Sequence, residues 1–197
     1  MRTIRGEIGP ARDGTIYAMA LSPDQRWLAA GGWFDKDSAN VPCCGDIRLY
    51  DFASGELKAL LKGHSYVVSG LAFSPDESIL YVVASRAVPN RLIRAFDVVD
   101  GGKKLANNRV FIDAETGTPD GFRVDIAGNL WCGWGMGDAE LDGVRVFDAT
   151  GKPIGHIALP ERAANLCFGG RFRNRVFMAA SHGLYALYVN TQGTLGG

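Results

Sequence analysis

The residues whose types could do chemistry are few and scattered. Asp120 stands in Pro119-Asp120-Gly121. A hard cation needs several oxygens converging at about 2.0–2.6 Å, which one carboxylate cannot supply. Pro-Asp-Gly is also a turn-forming tripeptide, in which Asp accepts from neighbouring backbone N–H groups. Asp35 and Asp37 resemble half of a calcium loop, but the glycine and distal glutamate of such a loop are absent. A solvated loop over residues 33–45 is expected instead. Ser181-His182 pairs a nucleophile type with a base type, but neighbours in a strand point to opposite faces. No G-x-S-x-G elbow is present. Gly101-Gly102-Lys103-Lys104 has the composition of a phosphate loop, yet no helix follows it, so a hairpin is expected. Arg171, Arg173 and Arg175 are assigned to a solvated hairpin tip, and His156 to a strand. Cys43, Cys44, Cys132 and Cys167 show no zinc spacing and read as reduced thiols of a cytoplasmic-type protein.

The elements that must carry these residues repeat. DIRLYD (46–51), RLIRAFD (91–97) and GVRVFD (143–148) each end in an aromatic–Asp pair: Tyr50-Asp51, Phe96-Asp97 and Phe147-Asp148. A weaker copy is GLYALYVN (183–190). An apolar strand, a turn and a second strand precede each copy: IYAMAL-SPDQR-WLAAGGW is the first, VVSGLAF-SPDES-ILYVVAS the second. A further strand follows three of the copies, as in ELKALL, NRVFIDA and PIGHIAL. Helical periodicity is absent. Short strands at this period, with glycine-rich turns, predict an all-β fold: a small β-propeller of about four four-stranded blades in one domain over residues 1–197. The last blade lacks a fourth strand, and RTIRGEI (2–8) is expected to close it. Two chains pairing their blades into one larger ring is the alternative assembly. The tryptophans are expected to pack between blades.

Charge narrows the partners. Lys+Arg and Asp+Glu are 21 each, so nucleic acid and anionic membrane surfaces are not expected partners. No apolar run approaches a membrane span, and MRTIRGEIGP lacks the apolar stretch of a signal peptide. A cytoplasmic location is therefore expected.

Two family resemblances emerge. IYAMALSPDQRWLAAGG and DIRLYDFASGELKALLKGHS, within residues 1–76, resemble the WD-repeat family, with Gly63-His64 as its GH element and Tyr50-Asp51 in place of Trp-Asp. That resemblance implies a structural role for His64 and a rim that takes a peptide partner. From about residue 71, TPDGFRVDIAGNLWCGW and GVRVFDATGKPIGHIALPERAANLCFGG are similar to the gluconolactonase, or senescence-marker-protein, family. It implies a propeller that hydrolyses sugar lactones with a divalent metal, often calcium. The ligands it implies are an early-blade Glu, an Asn opening an NGL-type strand, and the Asp of PDG. Asp120 matches the last, Ser69 stands where the Asn would be, and the Glu has no counterpart. Internal alignment of the four first strands places Tyr17, Ser69, Asp120 and Ala164 at the channel mouth, with Asn165 nearby and Asp125 in a turn.

The two resemblances meet at LAFSPD (71–76), which suggests a recombined or engineered chimera: a WD-like part over 1–76 and a gluconolactonase-like part over 77–197. The expectation is a folded scaffold with no retained reaction and no cofactor beyond a weakly held calcium at Asp120 and Ser69. Its alternatives are a degenerate metal-dependent lactonase and a WD-type peptide-binding module.

Overall fold

The computed structural model describes residues 15–33, 47–61, 68–84 and 87–195. The expected closing strand (2–8), Asp35, Asp37, Cys43, Cys44 and His64 lie outside these residues.

Among the described residues, fifteen strands form four antiparallel sheets, each laid out in chain order. Blade 1 is β1 (Thr15–Leu21), β2 (Trp27–Trp33), β3 (Ile47–Asp51) and β4 (Leu57–Leu61). Blade 2 is β5 (Val68–Phe73), β6 (Ile79–Ala84), β7 (Leu92–Val99) and β8 (Lys104–Asp113). Blade 3 is β9 (Phe122–Val124), β10 (Leu130–Trp134), β11 (Gly143–Phe147) and β12 (Pro153–Ala158). Blade 4 has three strands among the described residues, β13 (Ala163–Gly169), β14 (Arg175–Ala180) and β15 (Leu184–Tyr188). Among the described residues there is no α-helix, only a short 3-10 turn at Ala139–Leu141. None is long and apolar enough to cross a membrane.

The strands form because both faces of each inner sheet find a neighbour. In β6, Leu80 and Val82 join the core between blades 1 and 2, while Tyr81 and Val83 join the core between blades 2 and 3. Alternation sends successive side chains to opposite faces, so a strand buried twice reads as one apolar run, ILYVVA. A third core, with Val144, Leu166, Val176 and Met178, joins blades 3 and 4. Trp131 reaches across that interface and meets Phe168 edge to face at 5.5 Å. Outer strands such as β12 stay exposed.

The turns are pinned by their own side chains. Ser22 and Ser74 donate to Asp24 and Asp76 in the two SPD turns. Asp125 is fully buried and accepts from four donors: the N–H groups of Ala127 and Asn129, Asn129 Nδ2 and Trp131 Nε1, all at 2.9–3.0 Å. It spends its acceptor capacity on the DIAGN turn and on Trp131 of β10.

Candidate functional site

The first strand of each blade carries an irregularity at or just before its start. In β1 the pairing skips Tyr17, between Ile16 and Ala18. In β5 it skips Ser69, between Val68 and Gly70, and in β13 it skips Ala164, between Ala163 and Asn165. In blade 3, Asp120 N–H donates to Gly133 O, and Gly133 N–H donates to Gly121 O, so two residues oppose one. A β-bulge of this kind bends the strand and re-aims the extra side chain. The four skipped residues are the four that internal alignment places at the mouth. Pro119-Asp120-Gly121, expected as a turn, is instead this bulged entry into β9, because its backbone groups are taken by β10.

Gly121 is required by a close approach. Its N–H donates to Ala164 O at 2.9 Å, and a Cβ there would collide with the Asn165 side chain. Blades 3 and 4 therefore touch, backbone to backbone, beside Asp120. Cys132 lies just beneath, fully buried, with its thiol 3.8 Å from Asp120 O. Burial pushes that thiol's pKa far up, which keeps it neutral and unreactive.

Sequence reasoning missed the partner of Asp120. Arg162, from the loop between β12 and β13, donates from Nη2 to Asp120 Oδ2. Its stem lies across the end of β10: a Cβ on Gly135 would fall 2.7 Å from Arg162 Cγ and 2.6 Å from Asp142 Oδ1. The backbone behind it is fixed, since Ser181 N–H donates to Arg162 O. Glu161 fixes it further. Its carboxylate accepts from the N–H groups of His182 and Gly183 and from Tyr185 Oη, and lies 2.9 Å from His182 Nδ1. The His182 ring, and these other hydrogen bonds, hold its pKa below the ordinary value. The one signal in the sequence was an adjacent acid–base pair, Glu161-Arg162, two residues ahead of mouth position Ala164.

Burial raises the Asp120 pKa above its ordinary value, against the opposing pull of the Arg162 guanidinium. Ser69 Oγ, Thr118 Oγ1, Trp134 Nε1 and Arg162 Nε are buried without a hydrogen-bond partner. The divalent cation implied by the gluconolactonase resemblance does not fit this arrangement. One carboxylate already bound by a guanidinium and one hydroxyl leave most of a calcium shell unfilled. Among the described residues, no three His, Cys, Asp or Glu side chains are grouped to hold a metal.

The other candidates lie elsewhere. His182 faces Glu161, and Ser181-His182 lies in a bend after β14 rather than in a strand. His156 Nε2 is 3.1 Å from Asp142 O. Tyr50, Phe96 and Phe147 are buried beside their aspartates. Asp51 and Asp148 accept from turn N–H groups of Ser54 and of Thr150 and Lys152, whereas Asp97 accepts from Asn107 and Arg109. Gly101 and Gly102 form the β7–β8 hairpin. A cavity of about 360 Å³ lies between blades 1 and 2, at the opposite end from the mouth, beside Trp27 and Asp76.

Comparison with known proteins places this site in a family. Residues 19–182 match the SMP-30/gluconolactonase/LRE-like region. Regucalcin of Danio rerio is 30% identical over 182 residues, covering 90% of this chain and 53% of that protein. The solved gluconolactonase of Xanthomonas campestris superposes with a TM-score of 0.70 at 28% identity, covering 93% of this chain and 60% of that one. A WD repeat and SOCS box-containing protein of Xenopus tropicalis is 36% identical over 61 residues, 31% of this chain. The chain thus spans about half the length of the regucalcin it matches. The family match spans residues 19–182 and so lies on both sides of residues 71–76, where the sequence suggested a join. The chain belongs to the SMP-30/gluconolactonase family.

Proposed function

We propose that this chain hydrolyses lactones, cyclic esters of sugar acids among them, with Asp120 as the group that activates water. The reading rests on one observation: a half-buried carboxylate sits at a strand bulge, in a segment that matches the SMP-30/gluconolactonase family. It favours the lactonase alternative over the inert scaffold.

The chemistry balances with these groups. Asp120 accepts a proton from water as the water oxygen bonds to the lactone carbonyl carbon. The ring C–O bond then breaks, and the departing alkoxide takes the proton back from the Asp120 carboxyl. Water is consumed and a hydroxy acid forms. A base works best when its pKa approaches the working pH, and burial moves Asp120 in that direction.

The test is acid release from a panel of five- and six-membered lactones. The wild type is expected to exceed the buffer rate, and Asp120→Asn to lose about 10²–10⁴-fold in kcat. Equal rates for wild type, variant and buffer would leave the folded scaffold as the account.

A further inference from the structure

We propose that the Arg162 guanidinium is the resident cation of this mouth, standing on Asp120 where the family's reaction would call for a divalent metal. This rests on the reading of the mouth as the lactone site. Three observations carry it. The guanidinium bonds the carboxylate that matches the family's metal ligand. The stem is seated, not loose, because Gly135 leaves no side chain under it and Ser181 N–H holds its carbonyl. Its side chain keeps 31% exposure although Nε is buried, so part of the guanidinium outside the ion pair remains open to a ligand.

The exchange has a chemical consequence. A metal ion polarises a carbonyl and also acidifies a bound water. A guanidinium does only the first: it stays charged at all working pH and offers a planar fork of donors. Arg162 therefore stabilises the oxyanion that forms on the lactone carbonyl oxygen, and taking the proton from water falls to Asp120 alone. Glu161 is a positioning residue, holding the loop against the 181–183 turn.

Melting in millimolar calcium, with a chelator as control, tests the cation separately from the reaction. The wild-type midpoint is expected not to move. Arg162→Met keeps the stem but leaves the half-buried carboxylate without its cation, and its midpoint is expected to fall by several degrees, in calcium and in chelator alike. Asp120→Asn in that background should recover most of the fall. Arg162→Lys, which retains a positive charge, should lose less and serves if the Met variant does not fold. A calcium-dependent rise in the wild type that Asp120→Asn abolishes would overturn the proposal, as would an Arg162→Met that folds with an unchanged midpoint. Acid release is read in parallel: Arg162→Met should lose about 10²–10³-fold in kcat, as an oxyanion donor does. No hydrolysis in the wild type, with the melting pattern intact, would remove the lactonase reading and leave the resident cation standing.

Discussion

Two aspartates five residues apart do opposite work. Asp125 gives both oxygens to its own turn, while Asp120 keeps one oxygen outside its ion pair. Asp125→Ala would orphan four donors and cost about 3 kcal/mol, measured by denaturant unfolding. Asp125→Asn, which still accepts hydrogen bonds, should cost less. The pKa values of Asp97 and Asp148 are lowered, chiefly by side-chain hydrogen bonds from Asn107 and Thr150. A depressed folded-state pKa adds stability above the ordinary value of 3.8 and loses it as pH falls through the lower folded value. The melting midpoint should therefore fall on going below about pH 4, and less so in Asp97→Asn/Asp148→Asn. Asp120 was legible in the sequence because its tripeptide and its place in an aligned strand both mark it. Arg162 was not, because it arrives from a connecting loop 42 residues away, where strand alignment has no purchase.

The bulges are the elements on which the site depends. Internal alignment of the four first strands picks out Tyr17, Ser69, Asp120 and Ala164, and these are the four residues at the bulges. It does not show that each one is an extra residue without a partner opposite, which is what re-aims its side chain. Gly133 is the hinge of the Asp120 bulge: its N–H and C=O serve Gly121 and Asp120, and a Cβ would lie 2.6 Å from Ala163 O. Gly133→Ala should destabilise by about 2 kcal/mol through overpacking of the blade 3–4 seam. It should also lower kcat, because Asp120 moves with the strand. Glu161→Gln should lower kcat more than it changes KM, since it loosens the loop that aims Arg162.

Across the whole molecule, the described cores join blade 1 to 2, 2 to 3, and 3 to 4. Blades 2 and 3 each have two such interfaces, and blades 1 and 4 one each. Large apolar side chains are exposed on the end blades, including Ile16, Met19, Leu184 and Tyr188. In a stacked array, stability adds by neighbours. Amide exchange should therefore be slowest in β6 and β10 and fastest in β15. The repeat was legible because every blade reuses the same strand–turn–strand pattern. The family match spans residues 19–182 and so lies on both sides of residue 71. The measurement that bears most directly on the whole account is acid release from an aldonolactone in the presence of a chelator, comparing wild type with Asp120→Asn. The account predicts hydrolysis that survives the chelator and disappears in the variant. Hydrolysis that the chelator abolishes and calcium restores, or that Asp120→Asn leaves unchanged, would contradict it.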